Sequence, residues 1–126
     1  MKKYLLGTDV GTTGTKTYLI SDDGEVLGSS YMGYETKTPD TLTCLQDAEK
    51  LWEAVVYTIK QACAGIYDRE NIAAISLSTQ GGTLIPTDKS FVPLSDAVVW
   101  SDGGCADERA EFERNFVPGT LYEKTG

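Results

Sequence analysis

The chain contains no histidine, and its three cysteines, Cys44, Cys63 and Cys105, form no CxxC pair. A zinc site and a Cys-His nucleophile therefore lack their usual parts, and acid–base chemistry falls to carboxylates. The cysteines are expected to be reduced, partly buried thiols. Positive charge is also scarce: 11 Lys and Arg stand against 19 Asp and Glu in 126 residues, a formal net charge of −8. That balance disfavours a nucleic-acid or anionic-membrane partner, so a bound nucleotide would have to be held by local donors. No apolar run approaches the roughly 18 residues of a membrane span, and Met1-Lys2-Lys3 leads into a strand rather than a signal peptide's apolar stretch. A cytoplasmic location is expected. With 40% hydrophobic and 24% charged residues the composition is that of a globular chain, of one domain at most.

The most informative stretch runs from Leu5 to Leu27. Tyr4, Leu5 and Leu6 lead through Asp9 into a turn of Gly11, Thr12, Thr13 and Gly14, and a second apolar run follows from Thr17 to Ile20. This pattern predicts strand, tight turn, strand. Glycines let backbone approach a ligand closely, and successive N–H groups in such a turn form a concavity that attracts an anion. Thr12, Thr13 and Thr15 add hydroxyls, and Lys16 a mobile positive charge for a terminal phosphate. Asp9 suits the same ligand if Mg²⁺ lies between, because that ion keeps several waters and takes only one or two carboxylates. A Gly-rich hairpin with an Asp at its mouth explains the same residues without a ligand. The pattern is neither a P-loop nor a dinucleotide fingerprint, since a strand follows the turn instead of a helix.

Val26 to Tyr34 reads as a third strand, antiparallel to the second, and Thr36 to Leu45 as a loop. Asp47 is the expected N-cap of a helix running to about Ala64, stopped by Gly65. Its apolar face carries Leu51, Val55, Ile59 and Ala62, with Trp52 read as core. Ile72 to Ser78 predicts a strand buried on both faces, parallel to the first. The polar segment Thr79-Gln80-Gly81-Gly82-Thr83 then falls at the carboxyl end of a parallel strand, where open α/β sheets bind ligands. It serves equally as a turn into a strand from Leu84 to Thr87. Short strands are expected at Phe91–Leu94 and Ala97–Trp100. Trp100 and Asp102 could offer an apolar platform and a hydroxyl acceptor, or simply a buried Trp and a capping Asp. A helix is predicted from Cys105 to about Phe116, broken by Pro118-Gly119.

The segment from Asp9 to Lys16, followed by an apolar strand and Asp22-Asp23-Gly24, resembles the first phosphate motif of the FGGY carbohydrate kinases, with xylulokinase and gluconokinase-like members most similar. Gln46-Asp47 before a Trp-bearing helix, Gln80, Trp100-Ser101-Asp102 and Thr125-Gly126 match later family segments in order. The resemblance implies an α/β, RNase H-like fold of the actin, sugar kinase and heat-shock chaperone ATPase superfamily: a mixed sheet with flanking helices, here an incomplete domain. Residues 1–126 would be the N-terminal part of the first domain, without the second, ATP-binding domain. The implied cofactors are ATP and Mg²⁺, with Asp9 at the metal, Gly11, Thr12, Thr13, Gly14 and Lys16 at the phosphates, and Gln80, Gly81, Gly82, Trp100 and Asp102 on the sugar side. The catalytic Asp is expected beyond residue 126, so this stretch alone should be inactive. Gly81 and Gly82 stand where the family carries side chains that contact sugar or polyol, and Gly104 where it carries Arg, so neither xylulose nor glycerol specificity carries over. The partner implied is a small-molecule sugar, with a homo-oligomer left open. The alternative is a nucleotide-switch or non-catalytic regulatory protein of the same superfamily.

Overall fold

The computed structural model describes residues 2–115 and 119–125. Phe116, Pro118 and Gly126, which enter the helix, break and loop expected near the end, lie outside them.

Strands β1 (Tyr4–Val10) and β2 (Gly14–Ser21) form the expected hairpin, in register from Tyr4 opposite Ser21 to Val10 opposite Thr15. Strand β3 (Val26–Gly33) continues the antiparallel meander. Leu45–Gln46 is the short strand β4, and helix α1 (Ala48–Ala62) follows. Asp47 caps α1 as expected, its Oδ1 accepting from the N–H groups of Glu49 (3.0 Å) and Lys50 (3.2 Å). The helix stops two residues short of the predicted Ala64, because the Ala64 N–H bonds three residues back to Gln61 O (3.1 Å), tightening the last turn before Gly65 is reached. Strand β5 (Ile72–Thr79) returns parallel to β1, giving one sheet in the order β3-β2-β1-β5.

Alternation explains the core. Tyr4, Leu6 and Leu19 point to one sheet face and meet Ala62 and Cys63 of the helix end. Beside them runs a buried hydroxyl relay. Thr58 donates to the Val55 carbonyl (3.2 Å), so Thr17 donates to Thr58 (2.9 Å) and Thr8 to Thr17 (3.0 Å). Each polar group is thus partnered, as burial requires. The buried stripe of α1 is Ala48, Leu51, Ala54, Thr58 and Ala62. Small residues let the helix lie close on the sheet, and a side chain on Gly28 would meet the Ala62 carbonyl.

Two expectations are corrected. Trp52 is 63% exposed instead of core, because the stripe that packs is centred on Ala54 and Thr58. Strand β5 is not buried on both faces: Ala73 to Thr79 are all exposed. It lies at the sheet's edge, while α1 lies over β2 and β3.

The remaining chain is laced by short pairings. Ala97–Val98 forms β6, antiparallel to β4, and Leu84 bridges to Val98. The strands expected at Leu84–Thr87 and Phe91–Leu94 reduce to single bridges, such as Thr87 to Pro93. Asp88 fixes the turn between them by accepting from the N–H groups of Ser90 and Val92. Helix α2 (Ala106–Asn115) has no buried residue, and α3 (Thr120–Thr125) is a short helix the sequence reading does not anticipate. Cys63 is buried and Cys44 partly so, but Cys105 is exposed; all three are free. Among the described residues no helix is long and apolar enough to cross a membrane.

Candidate functional site

The hairpin turn is held almost entirely through its carbonyls. Gly11 O accepts from the Tyr34 hydroxyl, Thr12 O from the Gln46 amide (2.6 Å), Thr13 O from the Tyr31 hydroxyl (3.1 Å), and Gly14 O from Gly11 N (3.1 Å). Burial pushes the Tyr34 phenol above its ordinary pKa, which keeps it a protonated donor. Among the described residues the N–H groups of Thr12 and Thr13 make no hydrogen bond. A turn whose acceptors are satisfied and whose donors are unspent carries local positive potential without a cationic side chain.

Beside the turn, Asp9 and Lys16 are register partners on the sheet face away from α1. With Tyr18, Ser76 and Ser78 they line a shallow cavity of about 230 Å³. A Cβ on Gly11 would press on Gly14 O at 3.3 Å and only touch Asp9 Oδ2 at 3.7 Å, so glycine there suits the tightness of the turn. The Lys16 ammonium sits 4.8 Å from the centre of the Tyr18 ring, leaning along the strand and away from the turn. Among the described residues no three His, Cys, Asp or Glu side chains cluster as a metal cage. A lone exposed carboxylate beside free N–H donors fits Mg²⁺ carried in with a nucleotide, because that ion completes its shell with water and phosphate oxygens.

A second group gathers on the other side of the turn. Trp100 Nε1 donates to Thr12 Oγ1 (3.2 Å). Gln80, just past β5, is anchored by its own N–H to Val10 O (2.8 Å), and its Nε2 donates to Gln46 Oε1 (2.9 Å). Gln80 and Trp52 both line a mostly apolar groove of about 340 Å³ beside α1. The Asp102 carboxylate accepts from the N–H of Cys44 (2.7 Å) and of Gly104 (2.8 Å). Backbone explains two of the glycines. Gly82 has φ +73° and a Cβ there would press on Trp100 at 3.3 Å, while a Cβ on Gly104 would stand 2.9 Å from Asp102 Oδ1. Gly81 has open space around it.

The fold thus brings Thr12, Gln80 and Trp100 into one bonded group and sets Asp9 with Lys16 on the opposite sheet face, with the turn between. Asp102 is engaged by backbone, and Trp100 is exposed, which runs against the reading of it as a buried Trp. Gln46 is the connector that sequence reasoning notes only as part of a motif, since its bonds run to residues 34 positions away on either side. Ser76 and Ser78 were legible: they alternate along β5, and a period-2 reading of that strand marks a polar face opposite its apolar one.

Residues 4–126 match the model of the FGGY family of carbohydrate kinases, N-terminal domain. A gluconokinase of Bacillus subtilis is 30% identical over the whole chain, which spans 24% of that protein. A glycerol kinase of Brucella ovis is 33% identical over 129 residues, where the chain spans 26%. The ligand-bound xylulose kinase of Lactobacillus acidophilus superposes with a TM-score of 0.82 at 31% identity, over 98% of this chain and 25% of that one. The chain therefore spans about a quarter of the length of these relatives, and it has their mixed α/β, RNase H-like fold. With the Gly-Thr hairpin and the parallel return of β5 lying inside the residues that the family model matches, this chain belongs to the FGGY family of carbohydrate kinases.

Proposed function

We propose that residues 1–126 form the N-terminal part of the first domain of an ATP-dependent sugar kinase, which transfers the γ-phosphoryl group of MgATP to a carbohydrate hydroxyl. The observation that carries this reading is the turn at Gly11 to Gly14, whose four carbonyls are taken while the N–H groups of Thr12 and Thr13 are unspent. Those donors, with the Thr12 and Thr13 hydroxyls, hold phosphate oxygens, and Lys16 swings from Tyr18 to reach them. Asp9 orients Mg²⁺ through one carboxylate oxygen or a water. When bound, that ion neutralises charge on the phosphoryl oxygens. Gln80 and Trp100, joined to the same turn, border the sugar, with Gly81 and Gly82 leaving room for it and Asp102 holding the Cys44 and Gly104 backbone beside them. The carboxylate that accepts the sugar's proton, and most of the adenine site, come from residues this chain does not contain. The 126-residue chain alone is expected to turn over negligibly.

The test is ATP consumption by the product of the complete reading frame that encodes these residues, across pentoses, ketoses, polyols and sugar acids. Stimulation by one sugar supports the kinase and names its acceptor. A flat panel with nucleotide binding retained would instead favour a nucleotide-switch or regulatory protein, to which the backbone-engaged Asp102 and the three glycines are equally suited.

A further inference from the structure

We infer that Gln46 is a positioning residue that couples the phosphate turn to the sugar side, and that it fixes Gln80 to present an acceptor to a substrate hydroxyl. The inference rests on the kinase reading above.

Gln46 ends β4 and is 1% exposed, yet its amide is nearly fully used. Nε2 donates to Thr12 O (2.6 Å) and to Thr36 Oγ1 (2.9 Å), while Oε1 accepts from Gln80 Nε2 (2.9 Å). Only a primary amide supplies two donors and an acceptor at this reach; Glu has no donor and Leu has neither. Trp100 Nε1 on Thr12 Oγ1 extends the connection, so one bonded path runs from Trp100 through Thr12 and Gln46 to Gln80. Because Gln46 receives the Gln80 N–H, the Gln80 amide has a set direction. Its Oε1 is left buried without a hydrogen-bond partner. A buried orphan acceptor is costly and calls for a donor. Thr83 Oγ1 is orphaned in the same way, and both residues line the groove beside Trp52. A sugar hydroxyl is a donor of the right class for both.

The same amide thus holds the Thr12 carbonyl away from the phosphate side and aims Gln80 at the sugar. Filling one end should tighten the other, which makes Gln46 the carrier of an interaction between two sites.

The test uses the product of the complete reading frame and calorimetry with two probes: MgADP, and the sugar that stimulates most in the panel above. The sugar's Kd is measured with and without saturating MgADP. In the unaltered protein that ratio should differ from one. In Gln46→Leu, MgADP should bind about tenfold more weakly, as for the loss of one hydrogen bond to a charged ligand's cradle, and the ratio should fall to one. Thr36→Val, which removes a single bond at the exposed end, should keep the ratio; a merely structural Gln46 would lower melting temperature in both variants and leave the ratio alone. Should Gln46→Leu fail to fold, Gln80→Met cuts the path at the half-buried residue just past β5 and should also bring the ratio to one. An unchanged ratio in either folded variant, or a ratio of one in the unaltered protein, overturns the inference while sugar stimulation keeps the kinase reading intact. If no sugar stimulates, the kinase reading fails by itself, and weaker MgADP binding by Gln46→Leu still reports on the turn.

Discussion

Strands β2 and β5 are both eight residues long and both pair with β1 over seven register positions. Yet β2 buries Gly14, Thr15, Thr17, Leu19 and Ser21, while no residue of β5 is buried. The ladders are alike, so backbone pairing is not what differs. Helix α1 lies over β2 and β3 pairs along its edge, whereas β5 has β1 alone beside it and, Ile72 apart, only exposed residues. Strand formation and core formation are therefore separable: pairing with a neighbour is enough for the first, and the second needs an element laid across the sheet. The contrast extends along the chain, since among the described residues only Ala97 and Val99 of the buried hydrophobic side chains follow Cys63.

The comparison breaks most visibly at matched leucines. Leu19 is 1% exposed and Leu77 61%. Leu19→Ala is expected to cost roughly 2–5 kcal/mol in urea unfolding, and Leu77→Ala less than about 0.5 kcal/mol. Equal losses would mean that β5 is covered in solution by something the fold does not show, such as a second copy pairing along its open edge. A smaller effect is expected at Gly28, where an added Cβ would stand 2.2 Å from the Ala62 carbonyl. Gly28→Ala must push α1 off β3 and should cost roughly 1–3 kcal/mol, read as a lower melting temperature. Gly81→Ala, in open space on the β5 side, should leave it unmoved.

The smallest effect concerns acid stability. Asp68 accepts from the Asn71 side chain (2.8 Å) and from the Tyr4 hydroxyl (3.1 Å), which hold its carboxyl below the usual carboxylate range. A depressed folded pKa contributes stability above the ordinary carboxylate value and loses it as pH falls through the lower one. Asp68→Asn should therefore flatten the stability curve below about pH 4, with little change in slope near neutrality. An unchanged acid slope would show that the Tyr4 end of the core does not depend on this carboxylate.

Local features were legible from residue order. Asp47 caps because a short acceptor before an amphipathic run meets the free N–H groups of the first turn, and the turn after β1 needs glycine at position 14, where a Cβ would run into the Tyr31 side chain. The apolar stripe of α1 was legible as a face but not to within one position. Leu51 and Ala62 are buried with Ala54 and Thr58, whereas Val55 and Ile59 are only half-buried, and this turn of the stripe leaves Trp52 outside. The continuous apolar reading of Ile72 to Ser78 gave a strand correctly and burial wrongly, since composition records what a strand can bury and not what lies over it. The candidate site divided along the same line. Its turn and its Gln80 loop were visible as motifs, but the role of Gln46 was not, because its partners lie at Thr12, Thr36 and Gln80.

By itself the sequence determined the hairpin, the capped helix, the parallel return of β5 and the chemical types gathered near the turn, all of which follow from nearest-neighbour sterics and periodicity. Only the tertiary structure decided which face of α1 is core, that β5 stands uncovered, and that one buried amide ties the hairpin turn to the Gln80 loop. Those outcomes depend on which surfaces meet, and contact between distant segments is set by packing and by the need of every buried polar group for a partner.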